Sequence, residues 1–123
     1  MIQKQVFIYI MAEARIEKYR YGKIYAIVEN KGNLIYIGST FQKLNNRYVN
    51  HLQSAKNEND KKYNWQMYRY MRENGICNFK IKLLINYPCE NEEELKIREY
   101  DFIQRYQPKF NFIKSLEQEK KRK

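Results

Sequence analysis

Cysteine and histidine, the usual ligands of a structural zinc ion, are scarce in this sequence. The chain contains one histidine, His51, and two cysteines, Cys77 and Cys89, which do not follow a zinc-ligand spacing. The sequence therefore disfavours a zinc site. A disulfide between the two cysteines stays open, although two cysteines in a chain of this size more often remain reduced.

Long hydrophobic runs are also missing. No apolar run approaches the ~18–20 residues that a membrane span requires. The longest, residues 6–11, is too short for a signal-peptide core and has no small-residue cleavage site. A length of 123 residues suits one domain with a single core. We expect a soluble, intracellular protein, cytoplasmic or nuclear, that does not associate with a membrane.

Acidic residues are outnumbered, and the charge is unevenly distributed. The chain has 24 Lys and Arg against 14 Asp and Glu, a formal net charge of +10. Residues 41–82 carry nine basic and three acidic residues, whereas residues 83–101 carry two basic and six acidic ones. Such a balance favours a polyanionic partner such as nucleic acid. The alternative is a lysine-rich protein encoded by an A/T-rich genome.

A β-hairpin is the first clear element. Residues 23–28 and 34–38 are rich in β-branched and aromatic residues, and residues 29–33 between them contain a turn glycine. Alternation places Tyr25 and Ile27 on the same face of the first strand. The pattern predicts two antiparallel strands joined by a short turn.

Two helices are predicted after the hairpin. From residue 41 the apolar residues recur at helical spacing as far as residue 55, and Ser39 or Thr40 is available as the N-cap. A second helix is expected from about residue 64 to residue 74, with Gly75 as its stop.

A third strand and a last helix complete the pattern. Every second residue from 79 to 85 is apolar: Phe79, Ile81, Leu83 and Ile85. This alternation predicts a strand with one apolar face, which Pro88 closes. The last helix is expected from about residue 91 to residue 106, with Asn91 as its cap and Pro108 beyond its end.

These elements predict one α+β domain with the order β-β-α-α-β-α, in residues 21–113. Residues 1–20 are interpreted as an N-terminal extension that forms a strand followed by a helical turn. Residues 114–123 are interpreted as a charged C-terminal tail.

One acidic residue lies on an apolar helix face. Glu99 follows Leu95 by four residues and precedes Phe102 by three on the stripe of the last helix. A buried carboxylate costs several kcal/mol unless a cation, a metal or hydrogen bonds compensate it. A hard ion such as Mg²⁺ would suit it. A structural ion pair, or a position at the edge of the stripe, explains the pattern equally well.

Four further residues are candidates for chemistry. Arg47 and His51 are four apart on one helix face, where an arginine can hold a phosphate and a histidine can accept a proton near neutral pH. An exposed helix face is the simpler interpretation of that pair. Tyr25 and Tyr36 lie on the two strands of the hairpin, where packing explains most tyrosines. Forming a phenolate at pH 7 costs about 4 kcal/mol without help from a neighbour.

Together these residues resemble the GIY-YIG nuclease family. Lys23-Ile-Tyr25 and Tyr36-Ile-Gly38 resemble its paired motif, although Lys23 replaces the first glycine. The resemblance extends over residues 21–112 and includes the Gly38-Ser-Thr40 segment typical of its homing-endonuclease and viral branches. Four more positions match in order: Arg47, His51, Glu99 and Asn111.

The resemblance implies a three-stranded antiparallel sheet flanked by helices and a one-metal hydrolysis of phosphodiester bonds. By analogy, Glu99 binds Mg²⁺ or Mn²⁺, Arg47 neutralises phosphate oxygens, and Tyr25 or His51 is the base that activates water. Tyr36 is expected to hydrogen-bond within the site, which Gly38 and Asn111 are expected to support.

DNA is the expected partner, and no organic cofactor is expected. The basic residues expected to contact its backbone are Lys56, Lys61, Lys62, Arg69 and Arg72. A protein partner and a homodimer both stay open. Two alternatives remain: a nucleic-acid-binding module without catalysis, and a domain that binds or cleaves RNA through its interspersed aromatic residues.

Overall fold

A computed structural model describes residues 3–111, apart from the side chains of residues 12–16. The elements in chain order are α1 (Lys4–Tyr19), β1 (Lys23–Glu29), β2 (Leu34–Thr40), α2 (Leu44–Lys56), α3 (Gln66–Glu73), a 3₁₀ turn (Ile76–Asn78), β3 (Phe79–Asn86) and α4 (Glu92–Tyr106). From β1 onward this is the predicted order, and the α+β class is confirmed. The predicted tail, residues 114–123, lies outside the described residues.

The three strands form one antiparallel sheet in the order β2-β1-β3. The central strand β1 is covered on both faces, because five consecutive residues in its middle are buried. Its hairpin register pairs Lys23 with Thr40 and Tyr25 with Gly38. The sheet predicted from the resemblance is therefore confirmed.

The helices cover the two faces of this sheet separately. Tyr25 and Ile27 face a core that contains Ala55 of α2 and Tyr68 of α3. The other face of β1 packs in a second core, which includes Leu95 of α4. Alternation along β1 thus separates the two cores.

The N-terminal segment differs from its prediction. A strand followed by a helical turn was expected in residues 1–20, but the apolar run at residues 6–11 lies within α1. An apolar run this short does not distinguish strand from helix by its period. No strand of the described chain pairs with it, and a helix satisfies its backbone hydrogen bonds locally. Its large apolar side chains are about half exposed. No described helix is long and apolar enough to cross a membrane.

The start of α2 also differs from its prediction. Ser39 and Thr40 belong to β2 instead of capping the helix, and α2 begins at Leu44. Thr40 Oγ1 accepts a hydrogen bond of 3.0 Å from the backbone N–H of Gln42 in the connecting turn. The strand is longer than expected because pairing with β1 extends through Thr40.

The single apolar face predicted for β3 is wrong beyond Ile81. The register shifts so that Tyr25 pairs with Leu83 and Ile24 with Ile85, which leaves Leu84 as a bulge. Leu83 is consequently 43% exposed, while Leu84 and Ile85 pack in the core beneath α4.

The predicted cap of α4 is confirmed. The Asn91 side chain accepts a 2.9 Å hydrogen bond from the backbone N–H of Glu94. The Glu94 carboxylate in turn accepts one of 2.9 Å from the backbone N–H of Glu90. Both bonds satisfy backbone donors at the beginning of the helix. Cys77 and Cys89 are both free thiols.

Candidate active site

Tyr25 occupies the centre of the site, and Gly38 makes room for it. The Tyr25 ring is fully buried and lies across the hairpin from Gly38. A Cβ atom at position 38 would lie 2.5 Å from the Tyr25 hydroxyl oxygen and 2.6 Å from its Cζ. It would also lie 2.9 Å from Cε2 of Tyr36. Only a glycine at position 38 allows both tyrosine rings to pack here.

His51 lies between two tyrosine hydroxyls. Its imidazole is 1% exposed, with Nε2 at 2.7 Å from the Tyr25 hydroxyl and Nδ1 at 2.8 Å from the Tyr68 hydroxyl. The ring of Tyr36 approaches the imidazole edge-on at 5.6 Å between centroids. The exposed helix face considered for His51 is therefore wrong. Tyr68 had no signal in the sequence, because it is one of twelve tyrosines.

Arg47 lies one helical turn before His51 and is half-buried. Its guanidinium is close enough to act electrostatically on Tyr25, Tyr36 and His51. An open cleft of about 280 Å³ adjoins it, lined by Ser39, Asn50 and Lys96 among others. A phosphate group entering this cleft would meet a fixed fork of donors.

Glu99 reaches the same region from α4, on the opposite side of β2. Its Oε1 accepts a hydrogen bond of 2.8 Å from the Ser39 hydroxyl and lies 3.7 Å from the Lys96 ammonium. The side chain is 19% exposed, so the carboxylate lies at the edge of the apolar stripe. Within residues 3–111, both contacts fall on Oε1, and Oε2 remains available to a ligand.

The three ring side chains of the site are neutral at pH 7. Burial raises the pKa of Tyr25 far above its ordinary value, and the neighbouring Tyr36 adds to this, while Arg47 lowers it. Burial, and next the charge of Glu99, raise the pKa of Tyr36 to about 12. Burial, Arg47 and Lys62 lower the pKa of His51 to about 3. The expected titration of His51 near neutral pH is therefore wrong for the free protein.

Asn111 supports the site through the backbone of β2. Its Oδ1 accepts a hydrogen bond of 2.6 Å from the N–H of Ile37, and its Nδ2 donates one of 2.7 Å to the carbonyl of the same residue. The amide thus pairs with the free edge of β2 one residue before Gly38. This geometry favours the supporting role over direct contact with a phosphate.

The five basic residues expected at a DNA interface fall into two groups. Lys56, Lys61, Lys62 and Arg69 are exposed. Arg72 instead donates from Nη1 to the carbonyl of Ala55 at 2.7 Å, and its guanidinium lies 3.7 Å from the ring centre of Tyr63. Its charge is partly engaged in holding α3 and the preceding loop against α2.

Comparison with known proteins agrees with this geometry. The GIY-YIG catalytic domain model matches residues 21–111, and the chain belongs to the GIY-YIG nuclease family. Over 87 residues it is 37% identical to protein 146R of Invertebrate iridescent virus 6, whose name describes an MSV199 domain-containing protein. That match covers 71% of this chain and 34% of the relative, so the chain spans about a third of its length. No solved structure matches the chain.

The residues present fit a Mg²⁺ ion held mainly by water and substrate. Among residues 3–111, no three His, Cys, Asp or Glu side chains form a metal-binding group. Mg²⁺ usually keeps several waters and binds one or two carboxylates together with substrate phosphates. Glu99 has one accessible carboxylate oxygen and lies close to the cleft that adjoins Arg47, which matches that mode of binding.

Proposed function

We propose that this domain is a Mg²⁺- or Mn²⁺-dependent DNA endonuclease that hydrolyses phosphodiester bonds. The observation that carries the proposal is the buried 2.7 Å hydrogen bond between Tyr25 and His51, with Arg47 beside it and Glu99 across β2. Membership of the GIY-YIG family supports the nuclease class.

Tyr25 and His51 act as one proton-accepting pair. The attacking water gives a proton to the Tyr25 oxygen while the Tyr25 hydroxyl gives its own proton to Nε2 of His51. Because burial keeps both groups neutral in the resting state, the two transfers occur together as the water oxygen bonds to phosphorus and the bond to the 3′-oxygen breaks. The two candidate bases of the sequence thus share one function.

Arg47 and Glu99 serve the phosphate. Arg47 donates to the non-bridging oxygens, where negative charge grows in the transition state. Glu99 would hold the divalent ion, with Ser39 orienting its carboxylate through the 2.8 Å hydrogen bond. When bound, the ion supplies a positive charge that stabilises the leaving 3′-oxygen.

The DNA backbone binds along the basic side of α2 and the loop after it. The exposed Lys56, Lys61 and Lys62, with Arg69 of α3, supply the charge there. Lys62 is close enough to His51 to affect its pKa, so this surface continues into the site. Trp65 is 48% exposed beside Lys62, whose ammonium lies 4.9 Å from its ring centre.

Plasmid nicking by Glu99→Gln tests the proposal. Supercoiled plasmid is incubated with the native protein in Mg²⁺, in Mn²⁺ and in EDTA, and with the variant in Mg²⁺. We expect metal-dependent nicking by the native protein and a loss of at least ~100-fold in the variant, since it removes the charged ligand. Glu93→Gln is the matched control, because Glu93 is an exposed glutamate on the same helix.

The control should nick like the native protein. Equal nicking activity of the native protein and Glu99→Gln would show that Glu99 does not take part in the reaction. Plasmid and branched DNA that both stay intact, while the protein still binds them, would favour the binding module without catalysis. Cleavage of RNA in preference to DNA would replace the proposed substrate.

A further inference from the structure

A neutral histidine can donate a hydrogen bond from only one ring nitrogen, and the choice matters for His51. If Nδ1 carries the hydrogen, Nε2 has a free lone pair and can receive the proton of Tyr25. If Nε2 carries it, that transfer is blocked. The surroundings of His51 determine which tautomer is present, because both ring nitrogens contact a hydroxyl that can donate or accept.

The contacts of Tyr25 favour the first alternative. The positive charge of Arg47 acts on Tyr25, and it favours a hydroxyl whose oxygen, rather than its hydrogen, faces the guanidinium. The single hydroxyl hydrogen of Tyr25 is then directed to Nε2 of His51 at 2.7 Å. Nε2 is the acceptor in that arrangement, and the ring hydrogen belongs on Nδ1.

The contacts behind His51 lead to the same result independently. Ser54 donates from Oγ to the Asp60 carboxylate at 3.2 Å, and an ionised carboxylate can only accept. The negative charge of Asp60 also acts on Tyr68, and it favours a hydroxyl whose hydrogen is turned toward Asp60. With that hydrogen turned away from the imidazole, the Tyr68 oxygen accepts from Nδ1–H of His51 at 2.8 Å.

We propose that Tyr68, backed by the charge of Asp60, is a positioning residue that holds His51 in the Nδ1–H tautomer. The hydrogens of the Tyr25 hydroxyl, the imidazole and the Tyr68 hydroxyl then all point away from the cation Arg47 and toward the anion Asp60. This rests on the proposed function, since it gives His51 its capacity to accept the Tyr25 proton. Tyr68 itself touches no reacting atom.

Burial stabilises this arrangement of hydrogen bonds around His51. Tyr68 is 2% exposed, and Trp65 stacks on its ring at 5.9 Å between centroids with an interplanar angle of 4°. Among the described residues, the Tyr68 hydroxyl is the hydrogen-bond partner of Nδ1. In free histidine the Nε2–H tautomer predominates, so the protein must actively favour the other one.

The test is ¹⁵N NMR of the histidine ring, which is directly readable because the chain has a single histidine. In the native protein near pH 7 we expect Nδ1 to carry the hydrogen and Nε2 to show the shift of an unprotonated nitrogen. In Tyr68→Phe we expect the ring to move toward the Nε2–H tautomer. Tyr48→Phe is the matched control, because the buried Tyr48 hydroxyl has no hydrogen-bond partner among the described residues.

A native ring protonated at Nε2, or a Tyr68→Phe ring still protonated at Nδ1, would overturn the inference. Asp60→Asn is the second variant if Tyr68→Phe fails to fold, because it removes the charge from a half-buried side chain and keeps its shape. It should also move the tautomer balance toward Nε2–H, and an unchanged balance would exclude Asp60.

Nicking separates this inference from the proposed function. In Tyr68→Phe we expect kcat to fall by about 10- to 100-fold with KM for DNA unchanged, because substrate contacts are preserved. A shifted tautomer with full activity would contradict the positioning role. If the tautomers are as expected but the protein never cleaves DNA, the direction of the hydrogen bonds stands and the proposed nuclease function is refuted.

Discussion

At the scale of single residues, the site depends on the missing side chain at position 38. Tyr25 cannot withdraw from that position, because its ring is fully buried between β2 and the helices α2 and α3. The same ring carries the hydroxyl that contacts His51 at 2.7 Å. The close approach of Gly38 to Tyr25 across the hairpin therefore couples the packing of the core to the proposed catalytic role of Tyr25.

Gly38→Ala should cost both stability and activity. The added methyl group would overlap the Tyr25 ring, so we expect a loss of about 1–3 kcal/mol in the free energy of unfolding. Nicking should fall by more than ~10-fold, because displacing a reacting group by about 1 Å has effects of this size or larger. Urea unfolding and the plasmid assay measure the two effects.

Gly32→Ala separates the two effects. Gly32 adopts φ +97° in the hairpin turn with nothing within 4 Å of an added Cβ. Alanine there is strained by about 1 kcal/mol but leaves the site untouched. We expect reduced stability with full activity, and a comparable loss of nicking in both variants would contradict the argument for Gly38.

His51 should make the protein less stable in mild acid. Burial, Arg47 and Lys62 lower its folded pKa to about 3 from an unfolded value of 6.5. Below pH 6.5 the unfolded chain binds a proton that the folded chain does not, so this contribution to stability is lost as the pH falls from 6.5 toward 3. Between pH 6.5 and 4.5 the loss is about 2 kcal/mol.

Comparison with His51→Gln isolates this contribution. The variant loses the ring contacts at every pH, but its free energy of unfolding should fall by about 2 kcal/mol less between pH 6.5 and 4.5. Urea unfolding at several pH values measures both proteins under the same conditions. Parallel curves would mean that His51 does not titrate abnormally.

At the scale of elements, the free edge of β2 is completed by the chain after α4. The backbone N–H of Phe110 donates to the carbonyl of Ile35 at 3.0 Å, and the side chain of Asn111 then continues the pairing at Ile37. An unpaired edge strand is a common weak point of sheets. Here the edge lies next to Gly38, so its pairing supports the position of the active-site strand.

Asn111→Ala should loosen that edge. Ile37 would lose partners for both its N–H and its carbonyl, which costs about 1–3 kcal/mol in the free energy of unfolding. Hydrogen exchange at the Ile37 amide should become faster, and nicking should decrease. Asn46→Ala, at an exposed position on α2, is the control. Protection of Ile37 that equals that of the native protein would show that the Asn111 amide does not hold the edge.

At the scale of the whole molecule, the charge is uneven along the chain: residues 41–82, which include α2, the loop after it and α3, carry nine basic and three acidic residues, whereas residues 83–101 carry two basic and six acidic ones. The acidic residues at the beginning of α4 complement the positive end of that helix. The segment proposed to bind DNA is therefore more basic than the average of the chain. Binding should weaken steeply with salt, because bound phosphates release counterions.

Lys62→Gln should reduce that salt dependence. We expect the slope of log Kd against log salt concentration to fall by about 1 if Lys62 contacts one phosphate. Fluorescence anisotropy of a labelled duplex in EDTA, between about 50 and 200 mM KCl, measures it. Lys31→Gln is the control. It removes the same charge from the exposed turn between β1 and β2, at the end of the hairpin opposite the pair Lys23 and Thr40, and should leave the slope unchanged. Equal slopes for both variants would place the interface elsewhere.

Local patterns in the sequence predicted most of the fold. The hairpin, both middle helices, β3 and the cap of α4 follow from periodicity and capping residues, which act within one element. Periodicity could not predict the helix at residues 6–11 or the bulge at Leu84, because pairing partners elsewhere in the chain decide both. Helical spacing also singled out Arg47, His51 and Glu99, and the family resemblance added Tyr25 and Tyr36. The structure brings these five residues into one region.

Only the tertiary structure determined the chemical state and the support of these residues. The low pKa of His51 depends on burial and on charges from α2 and the following loop. The contacts of Tyr68 with His51, and of Asn111 with Ile37, join elements that are distant in the chain. Desolvation and hydrogen-bond direction are properties of a closed three-dimensional environment, and a linear pattern does not contain them.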